Sequence, residues 1–141
     1  MNPALNHQLI FPMTAHLVFC VLLYAALTLA RLPAVWGVGR DADGNNPWAT
    51  YEKRISANLS NQFEWPMFFH LAAVIFLTRT DVFAHYAVVA AWMFIVGRVL
   101  HSAIQIGTTN VRLRGLVFML NFVAVLVMWG ELLMQFSAIK T

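Results

Sequence analysis

Arg54-Ile-Ser-Ala-Asn58-Leu-Ser-Asn61-Gln62-Phe-Glu64-Trp-Pro66 and Arg98-Val-Leu-His101-Ser-Ala-Ile-Gln105 place charges and amides inside apolar runs long enough to cross a bilayer. A charged side chain near mid-membrane costs at least ~2.5–3.5 kcal/mol on insertion scales, so such residues face a cavity or a partner and mark a working site. The apolar runs around them decide the fold class: an all-α integral membrane protein, a bundle of four transmembrane helices. An open sheet cannot satisfy its backbone in lipid, and the runs lack the alternation of barrel strands.

The surrounding composition agrees. Of 141 residues, 60% are hydrophobic and 11% charged, against roughly 45–50% and 25% in soluble domains. A spanning helix needs ~20 mostly apolar residues, so the chain holds four spans and no soluble domain beside them. We expect a single domain over residues 1–141 with spans at about 9–31, 53–77, 82–106 and 114–136. Leu9 to Ala30 carries no charge and no Lys or Arg precedes it, so it reads as a mature helix and not a secretory leader. Pro66 falls inside span two and should kink it. The net charge of +3 is too small to suggest nucleic acid, and Cys20, the one cysteine, reads as a small core or lipid-facing residue. His70 and His85 read as isolated and structural, and Glu131 as a hydrated group near the outer interface.

Basic residues give an orientation. Arg31, Arg40, Lys53, Arg54, Arg112 and Arg114, with Arg98 just inside, lie on the side of loops one and three; Arg79 and Lys140 lie opposite. By the positive-inside rule, loops one and three are cytoplasmic and both termini outside; the expected location is a bacterial inner membrane.

At 1.5 Å per residue, Glu64 lies ~13–15 Å below the cytoplasmic start of span two, and Arg98 ~12 Å below the end of span three. Opposite charges at one depth on antiparallel neighbours suggest a buried pair. Asn58, Asn61 and Glu64 share a face with Arg54, while His101, Ser102 and Gln105 share one with Arg98, at ~100° per residue. The two faces describe a hydrophilic pocket open to the cytoplasm, with Arg31, Arg112 and Arg114 at its mouth. Excess guanidinium, one carboxylate and several amides suit an anionic ligand that also carries an amine. Apolar openings between helices would admit a second, apolar molecule or lipid. No metal-ligand spacing, Gly-rich phosphate loop or Ser/His/Asp set is present.

Arg54-x-x-x-Asn58 followed by Asn61-Gln-Phe-Glu64-x-Pro66, then Arg98-x-x-His101 and Arg114-Gly-Leu-Val-Phe, resembles the signature of the MAPEG family, the membrane-associated proteins in eicosanoid and glutathione metabolism. The resemblance covers nearly the whole chain and is to a bacterial-type member. It implies a left-handed four-helix protomer, a homotrimer, and glutathione as co-substrate bound between protomers near the cytoplasmic face. It further implies that Arg54, Asn58 or Asn61, Glu64, Arg98 and His101 hold the peptide and that Arg114 stabilises its thiolate. Arg54–Asn58 fits one half of the span-two pattern and Asn61–Glu64 the other. Many members carry a tyrosine where this chain has Gln105. The expected function is a glutathione-dependent transferase or peroxidase acting on apolar electrophiles or lipid hydroperoxides. A non-catalytic lipid-binding or scaffold protein is the alternative, favoured by Gln105, and a small transporter or channel is a third reading.

Overall fold

The computed structural model describes residues 4–79 and 81–139, all of whose regular elements are helices. They are α1 (Ala4–His7), α2 (Ile10–Trp36), α3 (Ala49–Ser60), α4 (Pro66–Thr78), α5 (Ala87–Gly107) and α6 (Val111–Ile139). Three stretches, Leu5–Trp36, Ala87–Gly107 and Val111–Ala138, are long and apolar enough to cross a membrane, and Pro66–Thr78 is a shorter apolar helix. Lys140, counted toward the orientation, lies outside the described residues.

Span two is two helices, and Pro66 is the reason. Its ring cannot donate a backbone hydrogen bond and would collide with the carbonyl four residues earlier. Helix α3 therefore ends at Ser60 and α4 restarts with Pro66 in its first turn, a position where the missing N–H costs nothing. Between them the backbone tightens: Gln62 N–H donates to Leu59 O and Phe63 N–H to Ser60 O, both at 3.0 Å. The break leaves carbonyls unused by the helix, which within a membrane must find partners.

Helix α2 outruns its expected end at Arg31 and closes at Gly37, whose φ of 72° lets its N–H reach Pro33 O. Helices α5 and α6 form the closest pair. At Gly97 the missing side chain makes room for Asn121, whose Oδ1 would collide with any Cβ there. Small residues let membrane helices approach this closely, and Ala87, Ala90 and Ala91 of α5 are buried in the same way. The main core joins α4, α5 and α6 around Phe69, Phe76, Phe94 and Met128. Phe69 and Phe94 stack with centroids 4.4 Å apart. A second cluster, Leu23, Leu27, Ile55 and Leu59, ties α2 to α3. Outward-facing Leu17, Leu22, Leu29 and Leu116 are exposed, as lipid contact requires.

Glu131 is not a hydrated interface group. It is buried, and its carboxylate accepts from the backbone N–H groups of His85, Tyr86 and Ala87 at 2.7–3.2 Å. A carboxylate is thereby placed on the free N–H groups that start α5, where the helix dipole favours it. His85 is accordingly not isolated; its Nδ1 lies 3.4 Å from Glu131 Oε1. Asn6 pins the same corner, donating to Phe76 O and Val82 O and accepting from Ala84 N–H.

Candidate functional site

Arg98 sits at the centre of the polar cluster and is only 1% exposed. Its position on α5 faces the break between α3 and α4, and the break supplies its partners. Nε donates to Gln62 Oε1 at 3.0 Å and Nη2 to the Asn61 carbonyl at 2.9 Å. That carbonyl is available because Pro66 interrupts the helix. The expected Glu64–Arg98 ion pair does not form. Glu64 is exposed, and no ion pair joins it to Arg98 among the described residues. The physical reason is the same break, which takes Glu64 off the helical register used to place it.

Gln62 organises the rest. Its amide nitrogen donates to Asn58 Oδ1 at 3.1 Å and Ser102 Oγ at 3.2 Å. Gln105 Oε1 accepts from Asn58 at 2.9 Å and from Asn61 at 3.3 Å. Arg54 caps the end of α5, its Nη1 donating to Ile106 O at 3.0 Å. Asn58 and Gln62 are buried between the helices and hold them together.

Seven of the expected site residues divide between two hollows, and Asn58, fully buried, lines neither. Asn61, Glu64, Arg98 and His101 line a hollow of about 520 Å³, together with Trp65 and Phe118. Arg54, Gln105 and Arg114 line another of about 310 Å³, beside Lys53. His101 stands between them, within electrostatic reach of both Arg98 and Arg114. Its Nδ1 is buried without a hydrogen-bond partner. Arg31 joins neither hollow; its Nε lies 3.2 Å from Glu52 Oε1 in an exposed ion pair. Arg112 is exposed and lines neither.

Volumes of ~300–1,000 Å³ are usual for small-molecule sites. A buried guanidinium without a carboxylate partner lines one such hollow and leaves a strong group for a ligand to satisfy; His101, whose buried Nδ1 has no partner, lines it too. The nearest carboxylate, Glu64, is free to meet a cationic group on the same ligand. A model of the MAPEG family matches residues 9–134. The chain belongs to the MAPEG family. Comparison with curated proteins and with solved structures gives no match. Membership agrees with the membrane helices and places the chain in a broadly glutathione-related family of membrane transferases and peroxidases.

Several members of the cluster escaped the sequence reading. Gln62 stood in the quoted stretch but was treated as one amide among several. Ser102 was placed on the Arg98 face by helical spacing but given no role of its own, and Phe118 carries no separate signal. His16 lay in an otherwise apolar span, and His70 was read as isolated; the two are in fact paired, His16 Nδ1 standing 3.0 Å from His70 Nε2. Cys20 Sγ lies 3.9 Å from each ring nitrogen of His16.

Proposed function

We propose that this chain is a glutathione-dependent transferase or peroxidase acting on apolar electrophiles or lipid hydroperoxides. Arg98 carries the reading: a buried cation with amide and carbonyl partners alone, beside a hollow that also holds Glu64 and His101. Glutathione offers two carboxylates, an amine and a thiol. A carboxylate meets Arg98 and the amine meets Glu64. Arg98 and Gln105 are separated by about 10 Å along α5, and an extended tripeptide spans about the same length. The thiol, on the central cysteine, then points toward the second hollow, where Arg54 and Arg114 stand. A thiol of pKa near ~8.5 ionises at neutral pH beside such a cation. The thiolate attacks an apolar electrophile to form a thioether. With a hydroperoxide it attacks the terminal oxygen, forming an S–O bond as the O–O bond breaks; the alkoxide takes a proton and leaves as the alcohol, and a second glutathione reduces the resulting sulfenic acid to glutathione disulfide and water.

The oriented assembly belongs to the same proposal: a homotrimer, the polar faces of spans two and three at the protomer boundary, and loops one and three cytoplasmic. One observation favours the non-catalytic lipid-binding or scaffold reading. Gln105, where many members have tyrosine, turns its oxygen inward to Asn58 and Asn61 and is committed to holding α3.

The test is calorimetric titration of the purified protein in mild detergent with glutathione and with S-methylglutathione. Both should bind at or below millimolar concentration, and Arg98→Met should weaken both at least about tenfold, the loss of one charged hydrogen-bonded contact. If the wild-type protein binds neither at millimolar concentration, the enzyme reading fails and the scaffold reading takes its place.

A further inference from the structure

A chain of hydrogen bonds leaves the Arg98 hollow and ends in a different one. Gln62 Oε1 stands 3.0 Å from Arg98 Nε and 3.2 Å from His16 Nε2. His16 Nδ1 stands 3.0 Å from His70 Nε2. The direction of each bond follows from Arg98. A guanidinium has only donors, so the Gln62 atom facing it is the oxygen. An amide oxygen only accepts, so His16 carries a proton on Nε2. A second buried cation beside Arg98 would be uncompensated, so His16 is neutral and its Nδ1 is a lone pair. The bond across to α4 is therefore donated by His70 Nε2–H. His70, among apolar walls with no carboxylate beside it, is neutral too, so its Nδ1 is an acceptor, and no described residue donates to it.

His70 is half-buried and lines a hollow of about 610 Å³ between α2 and α4, with His16, Cys20, Tyr24, Met13 and Phe63. The walls are largely apolar and the flanking Leu17 and Val21 are exposed toward lipid. A bare acceptor at this depth has no water to meet it.

We propose that this third hollow binds an apolar molecule bearing a neutral O–H group, which donates to His70 Nδ1. The polarity of the chain excludes the ionised form of the commoner amphiphile, a fatty acid, whose carboxylate oxygens would meet a lone pair. Alcohols, phenols and hydroperoxides share the required donor. The site does not depend on glutathione binding, and its test contains none.

The experiment uses the full-length protein in mild detergent with two photoreactive probes, a diazirine-bearing long-chain alcohol and its methyl ether. Labelled peptides are mapped by mass spectrometry. The alcohol should label residues 13–24 and 62–70 about tenfold more than the ether, the effect of one hydrogen bond in an apolar site. Equal labelling by the two probes overturns the proposal without recourse to any variant. In His70→Leu the alcohol should fall to the level of the ether; a retained preference also overturns it. Competition distinguishes the sources. Displacement of the label by a long-chain hydroperoxide or by a long-chain phenol identifies the natural class, and displacement by neither assigns the site to alcohols. Displacement by a long-chain carboxylate as effective as that by the alcohol contradicts the assigned polarity.

Discussion

Arg98 Nε donates to Gln62 Oε1 at 3.0 Å, and this bond ties α5 to the break between α3 and α4. It also orients Gln62 toward Asn58, Ser102 and His16. Replacing Gln62 by Leu strips a buried guanidinium of one partner and should cost about 1–3 kcal/mol. Glu64→Ala, at an exposed position, should cost less than about 1 kcal/mol. Thermal unfolding in detergent compares the two. A Glu64 variant as unstable as the Gln62 variant would show that Arg98 leans on the carboxylate after all.

Glu131→Ala uncovers the backbone N–H groups of His85, Tyr86 and Ala87 at the start of α5. The loss should be at least about 3 kcal/mol, since several buried donors go unmet together. Glu131→Gln keeps an acceptor and should recover part of it. Hydrogen exchange gives the local readout: the amides of 85–87 should exchange faster in Glu131→Ala, while those of α2 do not change.

Gly97→Ala should destabilise the α5–α6 contact by about 1–3 kcal/mol, through overpacking against Asn121. Asn121 is buried with neither polar atom of its side-chain amide satisfied, so Asn121→Ala should be mild or stabilising. The double variant should recover most of the Gly97→Ala loss. Additive effects, with no rescue, would mean that the close approach at Gly97 serves something other than Asn121.

Arg114→Ala should affect ionisation of bound glutathione more than its affinity. The motivation is the cationic hollow that Arg114 shares with Arg54 and Lys53. Ultraviolet absorbance across pH should show the wild-type thiolate forming at lower pH than in free glutathione, with that shift lost in the variant. A wild-type protein that binds glutathione but never ionises it would point to Gln105, and Gln105→Tyr is the variant that should restore the shift.

Much of the site was legible because polar residues in apolar runs stand out whatever the packing. Arg98, His101 and Asn61 line one hollow with Glu64, while Arg54 and Gln105, which helical spacing put in the same pocket, line another. The spacing argument failed where its premise did. It assumed one unbroken helix through span two, and Pro66 replaced that helix by two, turning Glu64 outward and offering the Asn61 carbonyl to Arg98. The proline was visible, but whether it kinks a helix or ends it depends on whether neighbours can satisfy the freed backbone groups.

The membrane class, the helical elements and family membership follow from the chain alone, because hydrocarbon demands apolar runs with internally bonded backbones. Partners across the bundle do not. That Gln62 joins Arg98 to His16, that His16 meets His70, and that Glu131 caps α5 are contacts between residues 36 to 54 positions apart. Side-chain hydrogen bonds act over about 3 Å, while sequence periodicity describes only neighbours on one helix. The packing of α2 against α4, and of α5 against the break, therefore decided which polar groups were satisfied internally and which were left facing a hollow.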